Sequence, residues 1–355
     1  MNLAEVCGCR VFRYEKNDEP MKKIVLCAIA SIAVSFASVD AQVVKSYEKP
    51  AEAEFRSAVK TLMYKTNGHD FTPERIAAMD VVQRMMNNFT TTEWNSYWGT
   101  WDWYEVDNME RFGVPYYLRQ SFEKIKKEIK STKVEKGSVA IWHLYNMGYI
   151  IKTPSQVLGI DLRAKRVDEL MKFIDVGMIT HSHGDHWAMA FVKALSKEGK
   201  PLLTNFNIKD VHVTRVKDGE IYEFGGIKIR TTIGDHNSNL KNFVVSYEID
   251  CGEDTNHTVI YHTGDSCNYK QLNPQNPVDI FILHMAVGLK IQAAIDKIQP
   301  KNVFLSHLLE LGHSITKWRW TYDDALMLRD KLEHDNVWIP VWGEKIVYKK
   351  SAAVK

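Results

Sequence analysis

Apolar residues recur every three or four positions through the first third of the chain and then gather into short, dense runs, so the pattern changes from helical to β-rich near residue 137. Glu54 to Lys65 alternates at helix spacing. Thr72-Pro73-Glu74 supplies a cap, a first-turn proline and a first-turn acid, which predicts a helix running to about Asn88. Phe122, Ile125 and Ile129 share one face of a basic helix over 122–130. Beyond Gly137 the pattern predicts strands at 139–142, 148–152, 157–161, 176–180, 211–215, 227–233, 243–249, 258–262, 280–283 and 302–306, with helices at 185–197 and 291–298. Helices interleaved with buried strands predict an α/β layered fold preceded by a helical region, residues 42–136 against 137–355.

The segment before residue 42 follows another logic. Lys22 and Lys23 precede an apolar run from Ile24 to Ala37, and Val39-Asp40-Ala41 is a small-residue cleavage site. Residues 21–41 therefore read as a secretory signal peptide, and 1–20 as a misassigned upstream extension. An apolar run of about 14 residues is short of the roughly 20 that a membrane span needs. The expected address is periplasmic or secreted, with no stable membrane anchor after cleavage. Of five cysteines only Cys251 and Cys267 lie beyond the leader, where an oxidising compartment permits either a thiol pair or one structural bridge.

Lys+Arg number 46 and Asp+Glu 44, a net charge of +2, which is too little to mark a nucleic-acid surface. Four of the ten tryptophans, Trp94, Trp98, Trp101 and Trp103, fall within ten residues and are followed by Tyr104. Such rings either fasten the helical region to the larger one or form a lid that touches sugar or lipid, and aromatic clusters more often do the first.

Thr180-His181-Ser182-His183-Gly184-Asp185-His186 sits where a buried strand runs into a helix. There His181 and His183 point one way, and Asp185 and His186 project from the first helical turn toward a second point. Imidazoles and a carboxylate suit Zn²⁺, with Mn²⁺ or Fe²⁺ as further options. Other ligands stand where strands end: His236 after Ile233, Asp265 in His262-Thr263-Gly264-Asp265-Ser266, and His307 after Phe304-Leu305-Ser306. A lone strand-end histidine is ordinarily structural, but this conjunction is not.

The order His-x-His-x-Asp-His, His, Gly-Asp-Ser, Ser-His resembles the metallo-β-lactamase superfamily over about residues 137–348. The resemblance implies a four-layer αββα sandwich with two divalent metal ions per chain. His181, His183 and His236 would hold one, Asp185, His186 and His307 the other, and Asp265 would bridge them. Asp161 resembles the early aspartate that orients a ligand histidine. Ala140-Ile141-Trp142-His143, Gly148 to Ile151, Val278 to Leu283 and Pro300 to His307 are similar to the branch holding ascorbate-6-phosphate lactonase and N-acyl-phosphatidylethanolamine phospholipase D. His143-Leu144-Tyr145-Asn146 departs from the glycine-histidine turn usual there. An aspartate at 265, where dinuclear zinc β-lactamases commonly carry cysteine, sets antibiotic hydrolysis aside.

The expected enzyme is an exported hydrolase in which a metal-bridging hydroxide attacks a lactone or other ester and Asp185 accepts the proton. Phosphodiester cleavage is the alternative chemistry, and a noncatalytic glycan- or lipid-binding protein the alternative class. The expected partner is a small-molecule or lipid substrate. His313, Tyr145 and Asn146 are candidate substrate or supporting contacts. His284, His262, His69, His212, His257 and His334 are assigned structural, surface or turn positions.

Overall fold

The computed structural model describes residues 48–352, so the signal peptide and the upstream extension lie outside the described residues. The described chain opens with five helices: α1 Glu52–Tyr64, α2 Pro73–Asn87, α3 Thr91–Gly99, α4 Trp103–Met109 and α5 Gly113–Ser131. Thr72 caps α2 by accepting from the Arg75 amide, and Thr90 with Glu93 closes a capping box on α3. The sandwich follows as β1 Ser138–His143, β2 Tyr149–Lys152, β3 Val157–Ile160, β4 Val176–Met178, α6 Met189–Lys197, β5 Leu202–Thr204, β6 Thr214–Arg215, β7 Ile221–Phe224, β8 Ile227–Gly234 and β9 Val244–Asp250. It ends with β10 Val259–His262, β11 Ile280–His284, α7 Ile291–Ile298, β12 Asn302–Ser306, α8 Tyr322–Arg329, β13 Val337–Trp338 and β14 Lys345–Lys349.

Two seven-stranded mixed sheets form, ordered β14-β1-β2-β3-β4-β5-β6 and β13-β12-β11-β10-β9-β8-β7. Alternation along the strands builds two cores. Val139, Ile141, Ile151 and Met178 meet Ile229, Tyr247, Ile260 and Phe304 between the sheets, while Ala140, Trp142 and Ile150 face outward into the core under the helices. Strands buried on both faces are nearly continuous in apolar residues, which is why β1, β3, β10 and β11 are legible as apolar runs.

The helical region packs onto the β1 and β14 end. Tyr117 stacks on Trp342 at 5.4 Å between centroids, and the buried Arg75 guanidinium lies 3.0 Å from the Glu344 carboxylate and donates to the Ile339 carbonyl. Trp94, 3% exposed, stacks on Trp98 and on Tyr145, each at 5.5 Å, so these rings fasten α3 to the sandwich. Trp101, Trp103 and Tyr104 stay exposed.

Two expectations need correction. The helix expected from Asp185 starts at Met189, because residues 181–188 turn back on themselves, with the His186 amide donating to the His183 carbonyl. The strand expected over 211–215 shrinks to Thr214–Arg215, pairing only with Leu203 and Thr204. Of the two alternatives for the cysteines, the thiols hold: Cys251 and Cys267 are both free, the first buried. Among the described residues no helix is long and apolar enough to cross a membrane.

Candidate metal centre

The site lies where strand ends of both sheets converge. After β4, Asp161 fixes the loop that carries four candidate ligands: its carboxylate accepts from the Thr180 amide at 2.8 Å and the Thr180 hydroxyl at 2.7 Å, and it lies 2.8 Å from Nδ1 of His186. His186 thus turns Nε2 into the site. Gly264, at φ +53°, lets the opposite turn close in, since a Cβ there would stand 2.7 Å from the Thr180 side chain. Asp265, next in sequence, is carried between the two halves.

His181, His183 and His236 form a ring cluster with centroid separations of 4.6, 4.6 and 5.3 Å, resting on Phe243. Asp265 Oδ2 lies 3.8 Å from His181 Nε2, 3.5 Å from His236 Nε2 and 3.7 Å from His307 Nε2, and Oδ1 lies 3.3 Å from His186 Nε2. Asp185 Oδ2 stands 3.4 Å from His186 Nε2 and 3.2 Å from His307 Nε2. Two metal-sized groups result, His181-His183-His236-Asp265 and Asp185-His186-His307, with Asp265 next to both.

The fit to cations rests on unsatisfied atoms. His186 Nε2, Asp265 Oδ1 and His307 Nδ1 are buried with no hydrogen-bond partner. A buried carboxylate oxygen 3.3 Å from a buried imidazole nitrogen, neither hydrogen-bonded elsewhere, is the arrangement a shared cation resolves. The electrostatics agree. Burial opposes ionisation of Asp265, yet His186, His307 and His284 hold its carboxyl well below the usual range. Burial likewise opposes protonation of His186, yet Asp265, Asp185 and Asp161 raise it well above an ordinary imidazole. The cluster demands positive charge at its centre. His181, buried and beside His186, is pushed far down and stays neutral, as a ligand must.

The remaining expected residues take definite places. Asn146, at φ +56°, donates from Nδ2 to Asp185 Oδ2 at 3.0 Å, so it acts on a ligand. Tyr145 is 1% exposed and donates to Glu310 at 2.9 Å, which removes it as a substrate contact. His313 pairs with Glu310 at 3.0 Å, and its ring lies 6.2 Å from that of His307. Burial opposes its protonation, but Glu310 raises its pKa. His262 bonds the Met147 carbonyl at 3.0 Å and accepts from the Gly264 amide, holding the Asp265 turn from behind.

Two participants escaped sequence reading, and a third, His284, was assigned only a structural position. His284 stacks on His307 at 3.9 Å and joins Asp265 and His307 in a third potential ligand group, and only its place at the end of an apolar strand signalled it. Glu310 and Phe243 carried no motif.

Residues 145–304 match the Beta-lactamase superfamily domain. The chain is 30% identical over 115 residues to a UPF0173 metal-dependent hydrolase of Thermoplasma volcanium, a stretch that is 30% of this chain and 49% of that protein, so it spans about half of that relative. Solved structures similar to it include Igni18, a metallo hydrolase from Ignicoccus hospitalis, at 15% identity and TM-score 0.47 over 60% of this chain and 100% of that one. Another is a possible metal-dependent hydrolase from Veillonella parvula, at 16% identity and TM-score 0.44 over 60% and 99%. With the domain match, the two seven-stranded sheets and their outer helices give this chain the metallo-β-lactamase fold.

Proposed function

We propose that the protein is an exported, dinuclear metal-dependent hydrolase that opens a lactone or other ester of a small molecule or lipid. One observation carries this reading: the buried, partnerless His186 Nε2 and Asp265 Oδ1, 3.3 Å apart at the meeting point of two ligand groups. His181, His183 and His236 would hold one ion, Asp185, His186 and His307 the other, with Asp265 between them. Two divalent ions so held supply water ionised near neutral pH and Lewis acidity toward the electrophile.

The chain's own residues do the rest. Asp161 keeps His186 in one tautomer by accepting from Nδ1, leaving Nε2 as donor to a cation. Asn146 and His307 both approach Oδ2 of Asp185, which orients the carboxylate and leaves its other oxygen to take a proton. His183, Asp185 and His236 are only half-buried, so substrate reaches the centre from that side.

The test is metal content and turnover on one preparation. Reconstituted protein is expected to retain about two divalent ions per chain and to show chelator-sensitive hydrolysis of a lactone panel, with Asp185→Ala and His236→Ala folded but inactive. Dominant cleavage of phosphodiesters instead would shift the substrate assignment. Fewer than one tightly held ion, with no turnover, would overturn the enzyme reading in favour of a glycan- or lipid-binding protein.

A further inference from the structure

Three cations stand within four residues after β3: Arg163, Lys165 and Arg166. Two are fully partnered. Lys165 is 6% exposed and donates to the carbonyls of Trp98 and Thr100, the former at 2.7 Å; Arg166 pairs with Glu110 at 2.6 Å and with Asp107. Arg163 is the exception. It is 8% exposed and its Nε is buried without a partner. Among the described residues its guanidinium has only ring contacts, lying 4.1 Å from the Trp98 centroid and 5.4 Å from that of Trp94.

Stacking on indole offsets part of the desolvation of a guanidinium but supplies no acceptor to its N–H donors. A buried N–H without an acceptor is costly, and beside it the two Nη groups, which are not shut away from solvent, are free to take an acceptor from a ligand. The position indicates which ligand. Arg163 Nη1 lies 3.8 Å from where a Cβ on Gly184 would stand, and Gly184 separates His183 from Asp185, one ligand from each ion site. Gly184 also lines an open cavity of about 230 Å³ walled by Trp98, Trp101, Trp187 and Met189. Arg163 itself lines the adjoining cavity with Trp94 and Tyr145, and Trp98, on which it stacks, is the wall shared with the Gly184 groove, so the donor fork stands beside the metal loop where the two cavities meet.

We infer that Arg163, stacked on Trp98, binds an oxyanion group of the substrate, a carboxylate or phosphate, while the groove lined by Trp101, Trp187 and Met189 takes its apolar part. The substrate class is an amphipathic ester or lactone with an anionic substituent close to the bond that breaks. This deepens the hydrolase reading and rests on it for the word substrate, but the binding itself needs no turnover.

The experiment uses phenylacetate and its neutral isostere phenylacetamide as probes, titrated by tryptophan fluorescence into the chain with chelator and again with divalent cation. Wild type is expected to bind phenylacetate at least tenfold more tightly than phenylacetamide under both conditions. Arg163→Met should abolish that preference and Arg163→Lys should keep part of it. Because a charge without an acceptor is being removed, Arg163→Met should unfold at the same urea concentration as wild type or higher. A purely structural arginine predicts a lower midpoint and an unchanged preference. Equal affinity of wild type for the two probes, no saturable binding in the millimolar range, or a preference that survives in Arg163→Met each overturns the assignment. The comparison within wild type stands even where a variant folds poorly, and the chelator arm separates this result from any failure of the enzyme to hydrolyse esters.

Discussion

Asn146 shows how much a single side chain settles in this site. In the left-handed region at φ +56°, which asparagine tolerates, it aims Nδ2 at Asp185 Oδ2, 3.0 Å away, and its carbonyl receives the His307 amide at 3.4 Å. One residue therefore positions two candidate ligands. Asn146→Ala is expected to lower kcat by roughly 10- to 100-fold, the usual range for partners that orient metal ligands, with KM and ion content close to wild type. Kinetics beside elemental analysis check this, and a parallel loss of metal would mean that Asn146 assembles the site instead of orienting it. The sequence leaves open whether this residue touches substrate or supports the site: a turn after β1 is legible, but a partner 39 residues away across the sandwich leaves no local trace. The seven candidate ligands are legible because each stands at or just after the end of an apolar strand. Arg163 and Glu310 are not, since their meaning comes from what surrounds them.

At the level of elements, α3 acts through one ring. Trp94 is 3% exposed against Trp98 and Tyr145, and Tyr145 in turn packs on Trp342 at 5.0 Å, so a stack runs from the helical region into the sandwich. Trp94→Ala should cost about 3–5 kcal/mol, as truncation of a buried aromatic does, whereas Trp103→Ala, at 46% exposure, should cost under about 1 kcal/mol. Urea unfolding of both variants checks the contrast; equal losses would mean the tryptophans share the load. Local pattern served well where an element is long or bounded: α7 and β12 fall at the expected residues. It missed β5 and β13, of three and two residues, because neither is long enough to show a period. β14 is held by pairing with β1 across the chain, and its edge position leaves it half polar. α8 had a readable signal in Thr321 and Asp324, a capping box. α6 begins late because the loop before it is shaped by Asp161, an interaction between segments about 20 residues apart.

On the scale of the molecule, the candidate ligands divide between the sheets. His181, His183, Asp185 and His186 follow β4 in the first, whereas His236, Asp265 and His307 follow β8, β10 and β12 in the second. A cation bound by both sets is a cross-link at one edge of the sandwich, and without it Asp161, Asp185 and Asp265 press negative charge onto a buried imidazole. Metal that binds the folded chain and not the unfolded one stabilises by about 2.7 kcal/mol at a hundredfold excess over Kd. Thermal unfolding should therefore shift upward and saturate as Zn²⁺ is added to chelator-treated protein. The shift should shrink sharply in Asp265→Ala, where the residue between the two groups is gone, and the same variant without metal should unfold somewhat lower than wild type, since the buried His186 imidazole loses the carboxylate that faces it. An undiminished shift in Asp265→Ala would place the bound ion elsewhere.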